Sequence, residues 1–176
     1  PEFIEALADH YAPLLKDFAP EHILFSYHGL PERHIHRSDP TGKCLVRPDC
    51  CIPFGPHNRH CYRAQCVATT DRVTTRLGLD KTLYTTTFQS RMGPMRWIGP
   101  STTETVDALA SAGIRRLAVA CPSFVVDNLE TLEEIGIRLR EQFMQTGGED
   151  FLLLPSLNSA SSWVRALASI LKPVLD

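Results

Sequence analysis

Ile23-Leu24-Phe25-Ser26-Tyr27-His28-Gly29-Leu30-Pro31 is an apolar run that ends in a histidine and is then broken by Gly29 and Pro31. Residues 22–28 therefore read as a buried strand, with His28 at its carboxyl end. Three further short runs share this character, at 82–88, 117–120 and 151–154. Between them lie segments with helical spacing. Phe3, Leu7, Tyr11 and Leu14 predict a helix over 2–18, closed by Pro20. Val67, Val73 and Leu77 predict one over 59–77, with Gly78 at its end. Ser101-Thr102-Thr103-Glu104 has capping-box spacing ahead of Val106, Leu109 and Ala110, and Gly113 stops that helix. A long helix is expected over 127–144, with Leu129, Leu132, Leu139 and Phe143 inward. A last one follows Asn158 or Ser159, with Val164, Leu167 and Leu171 inward. Nearly all-apolar strands alternating with helices imply an α/β, doubly wound, mainly parallel four-stranded sheet with helices on both faces, a Rossmann-like arrangement. No Gly-rich dinucleotide fingerprint follows any strand.

The composition narrows the function. At 176 residues the chain is expected to be one domain with a real core, and 43% hydrophobic with 22% charged residues is ordinary for a globular protein. A net charge of −2 speaks against nucleic acid as a partner, and no run approaches the roughly 20 apolar residues of a membrane span. The chain begins at Pro1, so a longer parent is expected. Residues 31–56 show no periodicity and read as a long loop, of the kind that in compact domains is functional or disordered.

Three groups of residues carry candidate chemistry. Strand carboxyl ends are where open α/β sheets collect ligands, which places His28 well. Asp127, Glu130 and Glu134 stand at i, i+3 and i+7 of the expected long helix; this stripe suits a hard divalent cation or a proton relay, or is a solvated acidic face. The stretch from Phe88 to Pro100 sets Ser90, Arg91, Met95 and Trp97 in a loop broken by glycines and prolines. That surface suits a flat apolar ligand, with the arginines meeting carboxylates, or is a packed loop. In addition, five of the six cysteines fall between residues 44 and 66, in the pattern Cys44-x5-Cys50-Cys51-x9-Cys61-x4-Cys66. Such clustering leans towards metal rather than a disulfide framework. Cys121 is expected to be a small buried hydrophobe.

The segment 24–31, the Phe88-Gln89-Ser90-Arg91-Met92-Gly93 and Trp97-Ile98-Gly99-Pro100 motifs, Cys121-Pro122-Ser123-Phe124 leading into 127–135, and Pro155-Ser156-Leu157-Asn158 together resemble ferrochelatase. The resemblance covers nearly the whole chain outside the cysteine-rich segment. It implies a lyase that inserts ferrous iron into a porphyrin, protoporphyrin IX or coproporphyrin III, in haem biosynthesis. The family has two similar lobes with the porphyrin between them, and this chain is similar to the second lobe, lacking the N-terminal one. The isolated lobe is therefore expected to be inactive. By resemblance, His28 matches the metal ligand or proton acceptor at the porphyrin centre and Glu130 the carboxylate facing it, these two forming the metal site. Glu134 matches the next carboxylate along the metal or proton path, and Asp127 an acidic neighbour. Trp97, Met95, Arg91 and Ser90 would line the macrocycle's pocket, while Asn128 has no assigned chemistry.

Compared with the family, residues 42–61 resemble an insertion. Some ferrochelatases carry a [2Fe–2S] cluster, so four of Cys44, Cys50, Cys51, Cys61 and Cys66 are candidate cluster ligands. His57 and His60 keep a structural zinc site as the alternative, and free thiols are a third. A non-catalytic metal- or haem-binding module is the competing functional reading. Cytoplasmic placement is expected, with peripheral attachment of the parent to the inner face of a membrane as its variant.

Overall fold

A computed structural model describes residues 1–175. Four parallel strands lie in the order β2-β1-β3-β4, namely β1 (His22–His28), β2 (Tyr84–Gln89), β3 (Arg116–Ala120) and β4 (Asp150–Leu153). The doubly wound parallel sheet expected from the sequence is present. Alternation along the strands divides the core. Ile23, Phe25 and Tyr27 of β1, with Ala118 and Ala120 of β3, face one helical layer, whereas Leu24, Leu117 and Val119 face the other. The first layer holds α1 (Glu2–Phe18), α3 (Tyr62–Leu77) and α7 (Ser161–Leu175). The second holds α4 (Thr102–Ser111) and a helical run over residues 129–145. Each fully buried Leu or Phe side chain contributes roughly 1.5–3 kcal/mol by leaving water, and both layers are lined with them.

Several local expectations are corrected. The segment after Pro31 is not all loop, because α2 (Glu32–Ser38) forms there, anchored by buried Ile35. Its seven residues are too few to display periodicity. The capping box at Ser101 does not form: the Ser101 hydroxyl meets Thr103 Oγ1 at 3.0 Å, and Glu104 is drawn away to Arg91. A capping box exists instead at Asn128, whose side chain accepts from the Thr131 amide while the Thr131 hydroxyl accepts from the Asn128 amide.

The expected long helix over 127–144 is broken into α5 (Leu129–Leu132), a π-helical segment (Glu134–Leu139) and α6 (Arg140–Gln145). The wider π turn shifts the facing of every earlier residue. Leu129 and Leu132 are therefore exposed, and Thr131, Ile135, Leu139 and Phe143 form the inward face. In α7 the stripe Val164, Leu167 and Leu171 is exposed, and Trp163 and Ala166 pack inward, Trp163 edge-on to Phe3 at 5.6 Å. Both stripes are apolar, and docking against α1 selects between them. No helix among the described residues is long and apolar enough to cross a membrane.

The chain leaves β1 towards the first layer and β3 towards the second. The adjacent carboxyl ends of these strands therefore form the topological switch point, where open sheets leave a crevice.

Candidate active site

His28 ends β1 at that crevice. Its ring Nδ1 lies 2.7 Å from the Gly29 carbonyl, so the Nδ1–H donates there and Nε2 is left out of that bond. The backbone on either side is pinned. The His28 amide reaches Ser123 Oγ at 3.4 Å across the switch point, and the Tyr62 hydroxyl donates to the His28 carbonyl at 2.8 Å. Phe124 stands beside the imidazole, with ring centroids 6.3 Å apart.

Gln89 is the cross-strand partner of His28 and is buried. Its carbonyl oxygen accepts from Ser26 Oγ at 2.7 Å, and its amide donates to the Glu130 carbonyl at 2.8 Å. One side chain thus ties the start of α5 to the β1–β2 ridge that ends in His28. Behind it, Ser26, Thr87 and Thr102 exchange hydroxyl hydrogen bonds of 2.8 and 3.0 Å, so the buried polar row is satisfied internally.

Two of the three carboxylates singled out from the sequence are held by the protein. The Glu134 oxygens accept from the amide and the hydroxyl of Ser90 at 2.8 and 2.7 Å. Ser90 makes this reach in the left-handed region, with φ 64°, where a side chain that grips a neighbour offsets backbone strain. Asp127 is not on a helix at all; it precedes the Asn128 cap. Its Oδ1 accepts from the Ser156 amide at 3.0 Å and its Oδ2 from Asn158 Nδ2 at 2.7 Å, while its own amide donates to Asn158 Oδ1 at 2.9 Å. Burial pushes this carboxyl up, but the hydrogen bonds from Asn158, Ser156 and Thr131 together outweigh it and hold the group below its ordinary value. Asp127 therefore ties the β3–α5 loop to the segment after β4. Among the described residues, no group of three or more His, Cys, Asp or Glu side chains is arranged as a metal site.

The loop after β2 folds back onto the segment 29–31. Trp97 bridges Pro31 in antiparallel fashion, Ile98 donates to the Leu30 carbonyl at 3.0 Å, and the Trp97 indole N–H donates to the Met92 carbonyl at 3.0 Å. A Cβ on Gly29 would lie 3.3 Å from the Trp97 ring and 2.7 Å from the Gln89 carbonyl oxygen, so only glycine lets the indole pack against the backbone that follows His28. Met92 and Met95 are exposed, and Arg91 pairs with Glu104 at 3.3 Å. Of the residues predicted from the sequence to line a ligand pocket, Trp97 adjoins Gly29 and Pro31, Ser90 serves Glu134, Arg91 turns to α4, and Met95 is exposed.

These details match a family. The sequence model of the family described as Ferrochelatase matches residues 1–174. The chain belongs to the ferrochelatase family. Proteins named ferrochelatase from Azotobacter vinelandii (strain DJ / ATCC BAA-1303), Stutzerimonas stutzeri (strain A1501) and Legionella pneumophila (strain Lens) are 49%, 47% and 49% identical to it. Each alignment covers 97% of this chain and 51%, 50% and 50% of the relative, respectively, so the chain spans about half the length of the curated relatives it matches. Gln89, Ser123, Tyr62 and Asn158 were missed by sequence reasoning because their contribution is a partner far away in the chain, which no spacing reveals.

The cysteines gather at the amino end of α3. Residues 39–61 form a run of turns held by Asp39, which accepts from the Cys44 amide at 2.7 Å, and by buried Asn58, which donates to the carbonyls of Cys50 and Pro53. All six thiols are free. Cys61 is the N-cap residue of α3 and makes no side-chain cap bond. The neighbouring Cys51 thiol above all draws its titration down; burial opposes this, and the Ala64 amide and the Cys44 thiol add to the lowering, while Cys51 and Cys44 are themselves pushed up. The Leu45 amide donates to Cys50 Sγ at 3.3 Å, and the Arg63 guanidinium to Cys51 Sγ at 3.0 Å, with Cys50 Sγ at 3.9 Å. Cys66 stands apart, one turn inside α3, where burial pushes its thiol up to about 12.

Proposed function

We propose that this chain forms one lobe of a ferrochelatase and that the crevice at His28 is where ferrous iron enters a porphyrin. The observation that carries the reading is the state of His28 within a chain of this family. Its Nδ1 is committed to the Gly29 carbonyl and its Nε2 is left out of that bond, with the Trp97 indole packed against the adjoining Gly29 as a surface that suits a flat macrocycle. Metallation removes two pyrrole protons and strips water from the iron. A neutral imidazole nitrogen is a fitting acceptor or ligand near pH 7. Glu130, anchored through its carbonyl by Gln89, supplies a carboxylate on the facing element, and Glu134, held by Ser90, supplies the next one. Fixing the Glu134 carboxylate in advance lowers the reorganisation that charge transfer would otherwise require. The missing half of the relatives' length would provide the opposing wall, so the lobe alone turns over nothing.

We further propose that Cys44, Cys50, Cys51 and Cys61 hold a [2Fe–2S] cluster. Four free thiols at the amino end of α3, with N–H donors aimed at the Cys50 and Cys51 sulfurs, support thiolate ligation spread over two irons; because no three of them are arranged as a metal site among the described residues, ligation would have to draw them together. Such a cluster, when bound, would staple residues 39–61 to α3. Thiolate ligation of this kind accords with a reducing, cytoplasmic setting.

The test is anaerobic insertion of Fe²⁺ and Zn²⁺ into protoporphyrin IX and coproporphyrin III by the full-length protein and its His28→Ala variant. Loss of insertion with an unchanged circular dichroism spectrum supports the reading. Near-normal turnover would remove His28 from the mechanism. Tight haem binding without insertion by either protein would make the chain a binding module instead.

A further inference from the structure

Two consecutive residues at the start of α3 reach in three directions. Arg63 sends Nη1 to Cys51 Sγ at 3.0 Å, with the Pro48 carbonyl at 3.4 Å and Cys50 Sγ at 3.9 Å, and Nε to the Gly99 carbonyl at 3.1 Å. Tyr62 sends its hydroxyl to the His28 carbonyl at 2.8 Å. Gly99 lies two residues from Trp97, and the intervening Ile98 is fully buried and hydrogen-bonded to Leu30. The half-buried guanidinium is therefore shared between the thiol centre and the loop that carries the indole. Nothing else described links the cysteine segment to that loop by a charged group.

We propose that Arg63 is a positioning residue that couples the thiol centre to the porphyrin-facing loop, so that the state of Cys50 and Cys51 sets where Trp97 stands. The proposal rests on the reading of the His28 crevice as the porphyrin site, but its mechanics do not depend on it. A guanidinium is a rigid planar fork, and its two arms cannot be reoriented independently. Whatever changes the acceptor on the sulfur arm, whether loss of the thiol or its engagement by another group, redirects the arm that holds the Gly99 carbonyl. A displacement of Gly99 passes along the short, hydrogen-bonded stretch 97–99 to the indole. Tyr62 provides a second tether at the same turn of α3, on the backbone of His28 itself.

A double-substitution cycle on this chain tests it, read on the ¹⁵N–¹H resonance of the Trp97 indole, assigned with Trp163→Phe. Cys51→Ala is expected to move that resonance when Arg63 is present and to leave it in place in an Arg63→Ala background. Equal displacement in both backgrounds, or none in either, overturns the proposal. If Arg63→Ala fails to fold, Arg63→Lys replaces it: a single ammonium on a flexible stem cannot span both acceptors, so the cycle is again expected to show no transmission. Transmission through lysine equal to that through arginine would also overturn it. No step of the experiment uses porphyrin, so its failure leaves the ferrochelatase reading untouched, and loss of metal insertion in His28→Ala leaves the coupling untouched.

Discussion

Ser90 grips both oxygens of Glu134, one with its backbone amide at 2.8 Å and the other with its hydroxyl at 2.7 Å. The loop expected to meet the ligand thus spends one of its polar residues on holding a carboxylate. Ser90→Ala keeps the amide bond and loses the hydroxyl one. A hydrogen bond to a charged group is worth about 1.5–3 kcal/mol, so in the full-length protein we expect kcat for metal insertion to fall about tenfold or more, with the porphyrin KM little changed. Steady-state zinc insertion measures both. A rise in KM alone would mean that Ser90 meets the macrocycle and not Glu134.

Gln89→Leu should destabilise the fold. It removes the acceptor of Ser26 Oγ and the donor to the Glu130 carbonyl in a buried setting. Leaving such groups unpaired costs about 1–3 kcal/mol. Urea unfolding of this chain, parent against variant, gives the difference directly, and an unchanged midpoint would mean that α5 is held by other contacts.

Gly29→Ala brings a methyl to 2.7 Å from the Gln89 carbonyl oxygen and 3.3 Å from the Trp97 ring. The oxygen belongs to backbone that already accepts from the Gly29 amide, so it cannot yield. We expect a loss of about 1–3 kcal/mol, as in other overpacked sites, accompanied by a change in Trp97 fluorescence. Loss of stability without any change at Trp97 would place the relief of the clash on the strand and not on the loop.

Asp127 predicts a pH dependence with a definite sign. Its folded-state pKa lies below the ordinary value of 3.8, so its contribution to stability is present above that value and is lost as pH falls through the lowered one. The gap in urea midpoint between the parent and Asp127→Asn should therefore be widest near neutral pH and shrink below about pH 4. A gap that stays constant down to pH 3 would mean that the ionised form makes no special contribution here.

The sheet was legible because burial on both faces writes itself as continuous apolar runs. His28, at the end of one such run, could be placed at a strand's carboxyl end from the run alone. The break in the helix over 129–145 was not legible. Glu130 and Glu134 look like members of one regular stripe, and the π-helical segment that re-aims the second of them leaves no mark in spacing. The exposed stripe of α7 failed for a related reason, since Val164 and Trp163 head equally apolar faces and only the position of Phe3 decides between them.

The sequence by itself determined the alternation of strands and helices, the place of His28 at a strand's carboxyl end, the clustering of the thiols and the family. These follow from local patterns: side-chain periodicity, chain-breaking residues and motifs read within one segment. Tertiary structure alone decided that Gln89 anchors Glu130, that Ser90 serves Glu134, that Asp127 is tied by Asn158 across the end of the sheet, and that Arg63 spans the thiols and Gly99. Each joins side chains from different elements, and the distance between such residues is set by how helices dock on the sheet, a quantity that no single segment encodes.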